Sequence, residues 1–160
     1  MGSQTMQTDP QLRRAVTGDG AGIAACVRAA YAIYLDRMAT PPGPMLQDYG
    51  DVIAAHLVWV LSDQDRDRIA GVMVLMPRDD YLLLDNIALH PDYQGQGLGS
   101  RLLAHADREA ARLGYGELRL YTHITMTENL ALYQAKGWVV TGRGVEDGYE
   151  RIFMSRHPDP

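Results

Sequence analysis

The stretch "NIALHPDYQGQGLGSRLL", residues 86–103, constrains this chain more than any other. An apolar run ends at His90-Pro91, glycines follow at 95, 97 and 99, and an amphipathic pattern starts at once. Glycine has no Cβ, so such a turn bends tightly and lets another molecule come close to the main chain. A strand that runs through this turn straight into a helix also aims the first helical N–H groups outward. Those groups lack partners inside the helix and sit at the positive end of its dipole, which suits a phosphate. The competing reading is a tight connection that needs glycine for geometry alone.

Two phosphate-binding patterns do not fit. The dinucleotide fingerprint has glycine at its first, third and sixth positions, and counting from Gly95 the sixth is Ser100. It also belongs to a first strand–helix unit, which this turn is not. A P-loop ends in Gly-Lys-Ser/Thr, where this chain reads Gly-Leu-Gly-Ser-Arg.

The order of elements around the turn sets the fold class. "LRRAV" reads as a short strand, and Thr17 or Asp19 caps a helix whose inward face is Ile23, Cys26, Ala30, Ile33 or Tyr34, and Met38. Prolines make residues 40–44 a stiff loop, and "PMLQDYGDVIAAH" follows as a second helix. "HLVWVL" and "IAGVMVLM" form a hairpin around the charged "DQDRDR", and "YLLLDNIAL", residues 81–89, is a further strand. A helix over Gly99–Leu113 carries Leu102, Leu103, Ala106, Ala110 and Leu113 three and four apart and stops at Gly114. "ELRLYTH" is a strand of period two, and "TENLALYQAKG" is a helix capped at Thr127 and ended by Gly137. "WVVTGR" and "YERIFMSR" close the chain as a hairpin around "VEDG". The fold class is therefore mixed α/β (α+β), a mostly antiparallel central sheet of about six to seven strands flanked by about four helices. One strand–helix–strand crossover is too few for a doubly wound parallel fold.

At 160 residues a single domain is expected over 11–156, with 1–10 a disordered or vector-derived leader beginning "MGS". Charged residues at 22% and hydrophobic ones at 46% are those of an ordinary globular protein. A net charge of -5 with no basic stripe argues against a nucleic-acid partner and is compatible with a cationic acceptor. No apolar run approaches the roughly 20 residues that span a bilayer, so no membrane partner is expected. The lone Cys26 and the polar N-terminus point to the cytoplasm. The five histidines are too dispersed to suggest a metal.

"LHPDYQGQGLGSRLL" resembles the acetyl-CoA-binding motif of the GNAT superfamily of N-acetyltransferases, Gln/Arg-x-x-Gly-x-Gly/Ala, met here by Gln94, Gly97 and Gly99. "TENLALYQAKGW" is similar to the family's second coenzyme-contacting region, and the element order matches over about residues 11–156. The resemblance implies the GNAT fold and transfer of acetyl from acetyl-CoA to a primary amine of a small molecule or peptide, by direct attack in a ternary complex. It implies no metal and leaves a homodimer open. The amides of Gln94, Gly95, Gln96, Gly97, Leu98, Gly99 and Ser100 would hold the pyrophosphate. The backbone of Ile87, Ala88 and Leu89 would bind the pantetheine arm, with the acetyl carbonyl near the same amides. Asn129 matches a position that often contacts the coenzyme, and Tyr133 matches the tyrosine near its sulfur.

An amine attacking a thioester must arrive neutral, generate an oxyanion and expel a thiolate. Strand amides can stabilise the oxyanion. Tyr133, with an ordinary pKa of about 10, stays protonated and can donate to the thiolate. Its other reading is a core aromatic on a helix face with Leu130 and Leu132. Asp85 interrupts an apolar strand that should be covered on both faces, where an apolar setting favours its neutral form and makes it a usable base near neutrality. It matches a position from which some GNAT members direct a catalytic histidine through water. Leu83 stands where others carry glutamate, and a structural aspartate satisfied by a loop remains the other reading of Asp85. His123, at a strand end near the same cleft, is a second candidate base. Tyr31, Tyr34 and Tyr49, with "TPPGPM" and Tyr149, either wall the acceptor pocket or cover the sheet edge. Cys26, on a buried helix face, is an implausible nucleophile. Two rival classes are a nucleotide-binding oxidoreductase and a non-catalytic acyl-CoA sensor.

Overall fold

Alternation along the strands divides the core into two layers. The computed structural model describes residues 9–38 and 40–158. Its seven strands are β1 (Gln11–Arg14), β2 (Leu57–Asp63), β3 (Arg68–Pro77), β4 (Leu82–Leu89), β5 (Leu118–His123), β6 (Val139–Glu146) and β7 (Tyr149–Arg156), in the spatial order β1-β2-β3-β4-β5-β7-β6. Val58, Val60, Val72 and Val74 face α1 (Gly20–Tyr31) and α2 (Tyr49–Ala55), burying Ile23, Val27 and Val52. Leu61, Met73, Leu75, Leu84 and Leu120 face the other way, onto Leu102, Leu103 and Ala106 of α3 (Leu98–Leu113) and Tyr133 of α4 (Thr127–Ala135). The mixed sheet flanked by four helices is the architecture expected from the sequence.

Local differences have local causes. The helix expected over 17–38 is α-helical only in α1, with 3-10 turns at Thr17–Asp19 and Ala32–Arg37. In the tighter turn residues three apart eclipse, so Tyr31 and Tyr34 are both buried with ring centroids 6.0 Å apart, while Ile33 turns out to solvent. The prolines keep Gly43–Leu46 in a 3-10 turn, and α2 begins only at Tyr49, where Asp48 caps the Asp51 N–H at 3.2 Å. The β6–β7 hairpin turns through Asp147 and Gly148, both at positive φ (52° and 82°), the geometry of a primed two-residue turn. Residues 1–8 of the expected leader lie outside the described residues. Pro10 is buried, and Arg101 donates to the Asp9 carboxylate and the Pro10 carbonyl, which joins these two residues to the fold. Among the described residues no helix is long and apolar enough to cross a membrane.

Two irregularities of β4 create the site. Its parallel pairing with β5 covers only Leu82↔Leu118 to Leu84↔Leu120, although β4 continues to Leu89 and β5 to His123. Beyond that point the strands part. On its other edge Leu84 pairs with Leu75 and Asn86 with Val74, which leaves Asp85 as the extra residue of a β-bulge. The bulge shifts the alternation, so that Leu84 and Ile87 pack on the α3 layer while Asp85 and Asn86 both line the same cleft.

Candidate active site

The glycine turn ends in an open helix terminus. Gly95 and Gly97 have φ of 79° and 80°, and nothing lies within 4 Å of where a Cβ would stand, so glycine is needed for backbone angle rather than space. Gly97 occupies the N-cap position without a side-chain cap, and the first helical bond runs from the Arg101 N–H to the Gly97 carbonyl at 3.1 Å. The N–H groups of Leu98, Gly99 and Ser100 therefore point out of the helix with no helical acceptor. Gly99 has an ordinary φ, and there a Cβ would come within 3.3 Å of Leu132, so its role is close packing. These donors open onto a groove of about 1330 Å³, mouth included, floored by Ile87, Ala88 and Leu89 and walled by Tyr34 and Leu132. An anionic, extended ligand matches this donor set and shape.

The phase of the β3–β4 ladder determines what β4 offers. The His90 N–H bonds to the Ala70 carbonyl at 2.9 Å, so residues 86, 88 and 90 direct their main-chain groups toward β3. Ile87 and Leu89 direct theirs to the edge that β5 has left. The Tyr31 hydroxyl approaches the Ile87 carbonyl at 3.4 Å, and the Gln94 amide approaches the Leu89 carbonyl at 3.3 Å, both from that side. Ala88 lines the groove but spends its own main-chain groups on β3.

A second cleft meets the groove at Tyr31, Ile87 and Asn129, which line both. Tyr133 and Asp85 also line it. The Tyr133 phenol is buried, and burial holds its pKa above the ordinary value, so the hydroxyl is a proton donor at neutral pH. Asp85 is half-buried rather than covered on both faces, because the parting of β4 and β5 opens its side to the cleft. It accepts a hydrogen bond from the Tyr121 hydroxyl at 2.7 Å. His123 lines the cleft too, and its Nδ1 accepts from the Thr125 N–H at 3.2 Å and lies 2.8 Å from the Thr125 hydroxyl. Those partners assign the proton of the neutral ring to Nε2. Burial, helped by Arg151, holds its pKa below the ordinary 6.5.

Of the tyrosines expected at the acceptor, Tyr149 lines this cleft and Tyr31 stands at its junction with the groove, whereas Tyr34 lines the groove alone. Tyr49 lines neither: it is buried behind the cleft, donating to the Pro44 carbonyl at 2.7 Å and accepting from the Asn86 amide at 3.2 Å. Asn86 also accepts from Tyr31 at 2.7 Å, so one buried amide links α1, α2 and β4. Asn86, Tyr121 and Arg151 carried no signal in the sequence reading. Cys26 is buried, which pushes its thiol up to about 12 and leaves no thiolate at neutral pH.

Comparison with known proteins agrees with this geometry. A family model described as the acetyltransferase (GNAT) domain matches residues 54–140, more than half of the chain. The chain is 41% identical over 59 residues to the ribosomal protein bS18-alanine N-acetyltransferase of Escherichia coli K12, a match covering 37% of this chain. It spans only 40% of the length of the curated relatives it matches in this way. The solved PaiA N-acetyltransferase of Thermoplasma acidophilum, in complex with coenzyme A, superposes with a TM-score of 0.77 at 17% identity over 92% of this chain and 98% of that one. A GNAT family acetyltransferase of Elizabethkingia anophelis with acetyl-CoA bound gives 0.62 at 19% identity over 94% and 99%. The chain belongs to the GNAT acetyltransferase family.

Proposed function

We propose that this protein is an acetyl-CoA-dependent N-acetyltransferase that acts on a primary amine of a small molecule or peptide by direct attack in a ternary complex. One observation carries the reading: a groove that begins at an uncapped helix N-terminus runs along the open edge of β4 and joins, at Ile87, the cleft that Tyr133 and Asp85 line. Acetyl-CoA would supply an activated thioester there. The outward amides of Leu98, Gly99 and Ser100 receive the pyrophosphate, the residues around them shaping its cradle. Ile87 and Leu89 extend sheet-like hydrogen bonds to the pantetheine arm, and the Ile87 N–H faces the negative charge that develops on the carbonyl oxygen. Tyr133 donates a proton to the departing sulfur. Asp85 accepts the proton of the amine, while His123 holds its Nε2 proton as a donor. Asn129, at the junction of groove and cleft, bounds the reacting end.

The related structures solved with coenzyme A or acetyl-CoA support the choice of donor, and the alanine acetyltransferase supports an amine acceptor. One catalytic domain over 11–156 in a reducing, cytoplasmic setting is consistent with a single buried thiol. The test is release of free thiol from acetyl-CoA in the presence of primary amines. Amine-dependent release is expected, with Asp85→Asn lowering kcat/KM and altering its pH profile. Tight binding of acetyl-CoA without amine-dependent release would instead identify an acyl-CoA sensor.

A further inference from the structure

The acceptor cleft contains a cation that acetyl transfer to an amine does not require. Arg151, on β7, is only 18% exposed in its side chain and lines the cleft beside His123 and Tyr149. An amine acceptor is itself a cation before it reacts, so an arginine in this wall repels it unless something compensates. Packing accounts for the position of Arg151: its guanidinium lies 4.2 Å from the centre of the Tyr121 ring and 5.6 Å from that of Tyr149. Packing does not account for its unused donors. Arg13, Arg37, Arg112 and Arg119 each hold one carboxylate with two nitrogens, and Arg156 holds Asp107 in the same way. Among the described residues Arg151 donates a single hydrogen bond, 3.3 Å to the half-exposed Glu146. It is the arginine of this cleft, and its fork is free to take a carboxylate.

Tyr121 sets the spacing. Its hydroxyl donates to Asp85 at 2.7 Å and its ring face carries Arg151 at 4.2 Å, so a carboxylate at the hydroxyl and a guanidinium over the ring are held by one phenol. The cleft is also bridged: the Tyr149 hydroxyl donates to the Pro41 carbonyl at 2.7 Å, tying the β6–β7 hairpin to the proline loop. A bridge there suits a small molecule better than a polypeptide laid across the sheet.

We propose that the acceptor is a small amino-carboxylate whose amine is received at Asp85 and whose carboxylate is received by Arg151. The inference rests on the transferase reading above and names its substrate class. In the step itself the amine nitrogen bonds to the acetyl carbon and the carbon–sulfur bond breaks. The amine loses a proton through Asp85, the sulfur gains one from Tyr133, and the products are an N-acetyl amino-carboxylate and free coenzyme A.

The experiment compares thiol release from acetyl-CoA with α-, β- and γ-amino acids and with their matched carboxamides, which keep the amine and lose the charge. For at least one pair the acid is expected to exceed the amide in kcat/KM by about tenfold or more, the order expected of a charge-assisted bidentate contact. Arg151→Gln should collapse that ratio toward one and Arg151→Lys should retain part of it. Glu146→Gln, which removes the competing carboxylate, should raise it. Comparing ratios between variants cancels the intrinsic difference in amine basicity. Amides used as well as or better than acids would overturn the inference and leave the transferase reading intact, as would an Arg151→Gln variant that slows both partners equally. Thiol release with other primary amines or peptides but with neither of these sets would overturn the inference alone, and no amine-dependent release with any of them, while acetyl-CoA still binds, would overturn both.

Discussion

At the scale of residues, the proposed function turns on groups whose protonation is fixed by their surroundings. Tyr133 is the clearest case, since burial keeps its phenol protonated while it lines the cleft at the end of the groove. Tyr133→Phe is expected to lower kcat by about 100-fold, the lower range for loss of a general acid, with acetyl-CoA affinity within about twofold of the parent. Equal kcat values in the two proteins would remove Tyr133 from the acid role. The places of Tyr133 in the cleft and of Gln94 and Gly97 in the groove were legible in the sequence because each belongs to a pattern of near neighbours along the chain. Tyr121 and Arg151 were not, because each matters through a strand it does not adjoin in sequence. Asp85 stands out in the sequence as a polar interruption, yet its half-exposed setting depends on where β5 leaves β4. Tyr34 and Tyr49 looked alike as aromatic wall residues, and only the turn at Ala32–Arg37 and the start of α2 separate their roles.

At the scale of elements, the glycine turn and α3 act as one device, and glycine's freedom matters most at Gly97. Gly97→Ala puts a side chain at φ 80° with nothing to touch, so the cost is backbone strain of about 1–2 kcal/mol. It is expected to lower Tm by several degrees and to weaken acetyl-CoA binding through the misdirected N-terminal amides. Unchanged affinity would separate the turn from ligand binding. On the same helix, His105 lies edge-on to Trp59 at 4.1 Å between ring centres. Burial holds its pKa below the ordinary 6.5, against the pull of Glu109 and with help from Arg108 and Arg112. The unfolded chain therefore binds the proton first as pH falls, and stability drops from about pH 6.5 downward. His105→Gln should give a flatter dependence of Tm on pH between about 7.5 and 5. Identical slopes would exclude His105 as the source. The element pattern itself was largely readable, since β5 and α3 carry clean periods of two and 3.6. The proline region was not, because adjacent prolines forbid an α-helix without dictating the 3-10 turn that replaces it.

At the scale of the whole molecule, the parting of β4 from β5 joins an uncapped helix N-terminus to a cleft lined by Asp85 and Tyr133. The sheet order follows from strand and helix order, but the length of the β4–β5 pairing, three residue pairs, is a tertiary property with no marker in either strand. That opening gives the chain both a groove and a reacting end. Binding of the donor is thus the property on which every later step depends. The direct measurement is thermal unfolding with acetyl-CoA, and separately with NAD and NADH. Ligand at about a hundred times its Kd stabilises by roughly 2.7 kcal/mol, a rise in Tm of several degrees. A rise with acetyl-CoA alone is the expected result. A rise with the nicotinamide cofactors alone, or none with any of the three, would contradict the account.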